Sequence, residues 1–307
     1  MDFIKILICQ RRLRLKKINE DAKDYIFLNY NVTTKCNQRC KYCYNIDLLQ
    51  NNEDTELKTW NIILAKIKSI HHKYSTKKII FTFLGGEPFL FKDLWQYVDD
   101  LSKLPNVTKI VITTNGSITP EDTYLERYKG KLMILFSYHG KFVLNESKFV
   151  TNVLSSREIL GRNDTEVTLI PYEENYQLNE YIATLMIVND INVSMMPIII
   201  DGQIQPFDKN HQKLFEKIYQ YYDNEFSLIS IDDKKYNLYQ LYQETKFNFK
   251  SSICYNQSYV INKDYVAHTC GIGKTYSLLT FELENIGYIC DKNSCTCFDE
   301  LKSFKVV

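Results

Sequence analysis

The run Cys36-Asn37-Gln38-Arg39-Cys40-Lys41-Tyr42-Cys43 carries the reading of this chain. Three thiols this close in sequence cannot all pair with one another as disulfides. They can converge on a soft metal centre, because thiolates select iron–sulfur clusters, zinc or copper(I). Three ligands are also one short of what a four-iron cubane takes, which leaves one iron open to another molecule. A structural zinc knuckle completed by a distant fourth ligand is the alternative that the cysteines alone leave open.

The spacing C-x3-C-x2-C, with the aromatic Tyr42 before the third cysteine, resembles the signature of the radical S-adenosylmethionine (radical SAM) superfamily. The resemblance implies that Cys36, Cys40 and Cys43 hold a 4Fe–4S cluster whose open iron chelates the amino and carboxylate groups of SAM. It further implies that an electron from the cluster splits SAM into methionine and a 5′-deoxyadenosyl radical, which removes a hydrogen atom from the substrate. An external reductant, a flavodoxin or ferredoxin, is implied with it.

Gly85-Gly86-Glu87-Pro88 follows a strand-like run ending at Leu84. Paired glycines admit a close approach to the backbone, and Glu87 adds a carboxylate at the strand end. The motif is similar to the family's GGE motif, which implies contact with the methionine amino group. A plain turn with Pro88 near a helix start is the alternative. Thr113-Thr114-Asn115-Gly116 ends another strand-like run. Asn-Gly is a general turn signal, and the family likeness makes Thr114 and Asn115 candidates at the cofactor. Ser137, in Ser137-Tyr138-His139, matches the family position that contacts the SAM carboxylate or ribose. His139 is a candidate general acid or base. Met196, beside Met195 and Pro197, is a candidate to pack on adenine, since methionine adapts to flat rings. The segment Glu166–Ile170 lacks the glycine the family often has there.

Apolar, β-branched and aromatic runs alternate with helical periodicity through the first two thirds of the chain. Strands are expected over Tyr25–Thr33, Lys78–Leu84, Lys109–Thr114, Leu132–Tyr138, Glu166–Ile170 and Asn192–Ile200. Helices are expected over Glu56–Tyr74, Leu94–Leu101, Gln177–Asn189 and Lys209–Asn224. This order argues for a parallel sheet with crossover helices, a partial (β/α)6 TIM-like barrel whose chemistry sits at the C-terminal strand ends. The expected division is a core over residues 1–205, a helical connector over 206–250 and a cysteine-rich module over 251–307.

That last segment carries Cys254, Cys270, Cys290, Cys295 and Cys297, with a hairpin expected over Tyr259–His268. A tail this short cannot easily build its own core, and a metal would staple it. It resembles the SPASM and twitch auxiliary modules of radical SAM enzymes, which implies a second 4Fe–4S cluster. Five cysteines are too few to ligate two clusters fully, so the shorter twitch-like form fits better. Asp264-Tyr265 stand where the family usually has glycine, and zinc is the alternative occupant. Cys9 is isolated and reads as a small buried residue.

The chain has 307 residues, 45% hydrophobic and 24% charged, an ordinary globular balance. A net charge of +1 gives no overall basic footprint for nucleic acid. Arg11, Arg12, Arg14, Lys16 and Lys17 read as the solvated face of an edge strand. No apolar run reaches bilayer-spanning length, and the N-terminus lacks the form of a signal peptide, so a cytoplasmic location is expected. Nine cysteines in a reducing compartment point to metal or redox chemistry. Relatives with such tails often modify peptides or proteins, which makes a peptide the expected substrate. A small molecule or nucleotide is the alternative, since the 35 residues before Cys36 offer no evident peptide-recognition domain.

Overall fold

The structure is a computed structural model that describes residues 17–18, 24–43, 46, 49, 51–196, 198–200, 203–204, 207–221, 229–231, 234–236, 253–254, 258–261, 265–268, 275–281 and 288–289. Among them the largest sheet has nine strands. In chain order these are β1 (Tyr25–Thr33), β2 (Lys78–Gly85), β3 (Val107–Thr114), β4 (Leu132–Tyr138), β5 (Thr165–Leu169), β6 (Asn192–Met195), β7 (Ser258–Ile261), β8 (Tyr265–His268) and β9 (Thr275–Ser277). The spatial order is β9-β8-β7-β1-β2-β3-β4-β5-β6. Strands β7 and β1 to β6 are parallel, and the sheet does not close. The helices are α1 (Leu57–Lys73), α2 (Leu94–Ser102), α3 (Asp122–Arg127), α4 (Glu146–Leu160), α5 (Tyr176–Val188) and α6 (Lys209–Tyr221). This is the partial barrel that the alternation of elements predicts.

Side chains alternate across each strand, so every second residue faces the helices. Ile26, Leu28, Tyr30 and Val32 of β1, Phe81 and Phe83 of β2, and Ile134 and Phe136 of β4 join Trp60, Ile63, Tyr97, Phe149 and Ile182 in one core. The opposite face holds a smaller cluster of Phe27, Ile80, Val111 and Met133. Burial on both faces explains why these strands read as nearly unbroken apolar runs.

Two departures from expectation have physical causes. Helix α4 gives little signal because buried Asn152 and Ser156 interrupt its apolar stripe; Asn152 Nδ2 donates to Gly116 O at 2.9 Å. The strand expected over Asn192–Ile200 ends at Met195, and Ile199–Ile200 pairs instead with Gln203–Ile204. A proline in such a run has no N–H to continue a ladder; Pro197 itself lies outside the described residues. The expected hairpin is present as β7 and β8, with Tyr259 opposite His268. Its first strand lies parallel to β1, Ser258 opposite Phe27, and Asn29 Nδ2 donates to Ser258 Oγ at 3.2 Å. Lys66 Nζ of α1 binds Leu279 O at 2.6 Å and Phe281 O at 3.2 Å, which pins the following turn to the core.

A second sheet has the order 234–236, 229–231, 17–18, 253–254, 288–289. The basic run was expected to be an edge strand. Residues 11–16 lie outside the described residues, and Lys17–Ile18 is flanked by a strand on each side. The connector expected to be helical carries α6 and then the strand pair Ile229–Ile231 and Lys234–Tyr236.

Candidate metal centre and cofactor site

The cysteine run leaves the C-terminal end of β1, and the neighbouring strand end holds it in place. Gly86 N donates to Thr33 O at 2.8 Å and Glu87 N to Lys35 O at 2.7 Å, so parallel pairing continues past β2 into the cysteine loop. A Cβ on Gly85 would stand 2.2 Å from Thr33 O, and one on Gly86 2.0 Å from Lys35 O. What the glycine pair admits to its backbone is therefore the chain's own metal loop. On the other side Thr33 Oγ1 donates to Asp54 Oδ1 at 2.7 Å, and Lys35 Nζ pairs with Asp54 at 2.6 Å.

Cys36, Cys40 and Cys43 form no disulfide; Cys40 is buried and the other two are half-buried. Cys43 N donates to Cys40 O at 3.1 Å, which folds the run into a turn. Burial pushes the Cys40 thiol up to about 12, and the negative charges of Cys43 and Cys36 add to the effect. Burial likewise raises Cys36. Thiols that resist ionising side by side are stable as thiolates only next to a cationic centre, which fits a cluster. Among the described residues no three His, Cys, Asp or Glu side chains gather closely enough to share one ion. A cubane asks for less, because each thiolate serves a different iron.

Tyr42 ties the loop to the end of β4. Its hydroxyl lies 3.0 Å from His139 Nδ1, and its ring centroid is 5.2 Å from Tyr172 and 5.6 Å from Phe142. Burial pulls His139 down to about 4 and raises the Tyr42 phenol well above the usual range. At neutral pH both groups are therefore uncharged, and Nδ1 is the ring nitrogen engaged by the phenol.

Glu87 is fully buried. Its Oε1 accepts from Thr114 Oγ1 at 2.7 Å and Phe89 N at 3.2 Å, and its Oε2 accepts from Asn115 N at 2.7 Å. The carboxylate thus joins the ends of β2 and β3. Burial pushes it up to about 7 against the pull of those three donors.

Opposite pH slopes follow from these two groups. Glu87 titrates higher folded than unfolded, so its contribution is present below about pH 4.3 and is lost as pH rises to about 7. His139 titrates lower folded than unfolded, so its contribution is present above about pH 6.5 and is lost as pH falls to about 4. Between about pH 4.5 and 6.5 the two nearly cancel. In the metal-free chain, Glu87→Gln should make stability rise across that window by about 1.4 kcal/mol per pH unit, and His139→Gln should make it fall by a similar amount. Urea unfolding at several pH values reads this directly, and two variants with matching slopes would refute it.

The Radical SAM superfamily profile matches residues 30–139, from within β1 to His139. Those residues are a radical SAM superfamily domain. GTP 3′,8-cyclase of Clostridium acetobutylicum is 26% identical over 209 residues, covering 65% of this chain and 62% of that protein. Molybdenum cofactor biosynthesis protein 1 of Dictyostelium discoideum is 32% identical over 108 residues, covering 32% of this chain and 17% of that protein. The chain thus spans less than two thirds of either relative. Among solved structures, Streptococcus suis SuiB bound to S-adenosylmethionine superposes with a TM-score of 0.58 at 12% identity, over 84% of this chain and 64% of that one. Native anSMEcpe with bound AdoMet gives 0.57 at 13% identity, over 92% and 84%. These two likenesses show the fold alone.

Within the radical SAM domain, the three cysteines, Gly85, Gly86, Glu87, Thr114 and Asn115 come together as one bonded group. Pro88 opens a single 3-10 turn, Pro88–Leu90, and is buried. Ser137 is near the end of β4, half-buried and opposite Thr168 of β5. Met196 follows β6 at the sheet edge, packs against the main core, and donates from its N–H to Leu169 O at 3.0 Å. The structure does not bond it to the cysteine group. Cys254 ends a short strand of the second sheet. Cys9, Cys270, Cys290, Cys295 and Cys297 lie outside the described residues. Sequence reasoning missed Gln38, Phe142 and Tyr172. Gln38 sits inside the quoted run with no signal of its own, and the two aromatics reach Tyr42 from other loops.

Proposed function

We propose that this chain is a radical SAM enzyme that cleaves S-adenosylmethionine reductively and uses the resulting radical to remove a hydrogen atom from a small-molecule or nucleotide substrate. The observation that carries the reading is the group of three unbridged cysteines on one turn, pinned by the Gly85-Gly86 backbone, inside the radical SAM match. Cys36, Cys40 and Cys43 hold the cluster, which when bound supplies the electron for the cleavage. The backbone at Gly85, Gly86 and Pro88, with Thr114 and Asn115, shapes the methionine end of the site. Glu87 braces it and keeps about one of its four acceptor positions for an amino group. Ser137 faces the carboxylate or ribose, and Met196 the adenine. Any acid or base role of His139 falls to Nε2, since Nδ1 is bonded to Tyr42.

The substrate class rests on the sequence relatives, which are GTP 3′,8-cyclase and molybdenum cofactor biosynthesis protein 1. They support the nucleotide or small-molecule alternative over the peptide expected from the tail. Cys254, Cys270, Cys290, Cys295 and Cys297 are proposed to hold a second 4Fe–4S cluster, and a flavodoxin or ferredoxin to deliver the electron. The test is iron and sulfide after anaerobic reconstitution, in the native chain and with all three loop cysteines changed to Ala. About eight irons falling to about four supports two clusters; about four falling to none removes the second. Competition by GTP and nucleosides, against short cysteine-containing peptides, decides the substrate class. Displacement by peptides alone would reverse the proposal.

A further inference from the structure

Two carboxamides lie against the cysteine sulfurs. Gln38 is 2% exposed, its Oε1 lies 3.8 Å from Cys40 Sγ, and its Nε2 is buried with no hydrogen-bond partner. Asn115 Nδ2 lies 3.9 Å from Cys36 Sγ and 2.9 Å from Asn37 Oδ1. Asn115 Oδ1 accepts from Ser117 N at 2.9 Å, and Asn115 N is held by Glu87, so the amide nitrogen is the end that faces the sulfur. Gln38 N adds a backbone donor to Cys36 Sγ at 3.4 Å.

The orphaned Gln38 nitrogen is the informative atom. As a thiol, Cys40 donates to Oε1. As a thiolate it has no proton to give, and Oε1 would face a negative sulfur. A half-turn of the carboxamide exchanges oxygen for nitrogen within the same envelope, so the unpartnered Nε2 becomes a donor to Sγ. In either protonation state one end of the carboxamide meets the Cys40 sulfur, and against a thiolate that end is the donor Nε2. A buried donor left unpaired costs about 1–3 kcal/mol.

We infer that Gln38 and Asn115 are outer-shell hydrogen-bond donors to the Cys40 and Cys36 thiolates, and that they set the reduction potential of the cluster those cysteines hold. The inference rests on the cluster reading above. Reduction adds negative charge that spreads onto the sulfurs. N–H groups aimed at them stabilise the reduced form more than the oxidised form, which raises the potential. Both residues act through the cysteines, so they are positioning residues.

The test is an EPR-monitored redox titration of the full reconstituted chain, following the signal that changes when SAM is added. Gln38→Leu and Asn115→Leu should each shift the oxidised-to-reduced ratio at fixed potential about tenfold toward oxidised, a midpoint about 59 mV more negative for one electron. Gln38→Glu keeps the shape, loses the donor and adds charge, so its shift should be larger. Should a leucine variant hold less iron than the native chain, Gln38→Glu and Asn115→Asp are read instead, because they preserve packing. Native iron content with an unshifted midpoint in these variants overturns the inference and leaves the cluster reading intact. A native chain that takes up no iron at Cys36, Cys40 and Cys43 overturns both.

Discussion

Replacing Cys40 by alanine is expected to abolish SAM cleavage and to remove about four irons per chain. Cys40 is the middle and most buried of the three thiols, and its turn is closed by the Cys43 N–H on Cys40 O at 3.1 Å. With two thiolates left, the cluster loses one of the three corners that the loop supplies. The alanine itself is tolerated sterically, so the chain should stay folded. The measurements are iron content and 5′-deoxyadenosine formed from SAM with a strong reductant. Substantial 5′-deoxyadenosine from this variant would sink the assignment of the cysteines.

Gly86→Ala should be nearly as damaging by another route. The added methyl would stand 2.0 Å from Lys35 O, 2.5 Å from Lys35 C and 3.0 Å from Cys36 Cβ. The first two are backbone atoms and cannot turn away. Relief requires β2 and the cysteine loop to separate, which breaks Gly86 N to Thr33 O and Glu87 N to Lys35 O. Two buried backbone bonds left unmade cost about 1–3 kcal/mol each, so a loss of about 4 kcal/mol is expected, together with poor iron loading. Gly130→Ala is the control. Gly130 also sits where a side chain must be judged by its surroundings; its φ is +85°, but nothing lies within 4 Å of its added methyl. Only backbone strain remains there, about 1 kcal/mol. Urea unfolding and iron content of the two variants give the comparison. Equal losses would show that the close approach of glycine and cysteine loop is not what the site depends on.

Local chemistry made much of this protein legible. Strands β1, β2 and β4 and helices α1, α2 and α5 were readable to within a residue or two, because each is a long run of one periodicity ended by a turn residue. The cysteine spacing and Gly85-Gly86-Glu87 were readable because metal ligation and close backbone approach demand particular residue types at particular intervals. Helix α4 was not, because its buried Asn152 and Ser156 answer to Gly116 and the sheet, and not to helix periodicity. Two pairings in the site were equally hidden. Glu87 reads as a free carboxylate at a strand end, and the fold buries it completely against the end of β3. His139 reads as a lone histidine, and the fold turns it onto Tyr42, 97 residues away.

By itself, then, the sequence determined the β/α alternation, the ends of the strands and the identity of the candidate metal ligands. These depend on side-chain type and short-range periodicity. Only the tertiary structure decided that β7 joins the core sheet beside β1, with Asn29 reaching Ser258 across 229 residues. It alone decided that the glycine pair packs on the cysteine loop, and that two carboxamides face two sulfurs. Parallel pairing and buried hydrogen bonds are made between segments remote in the chain. Their partners are chosen by which donors and acceptors packing brings together away from water, and no interval along the sequence encodes that choice.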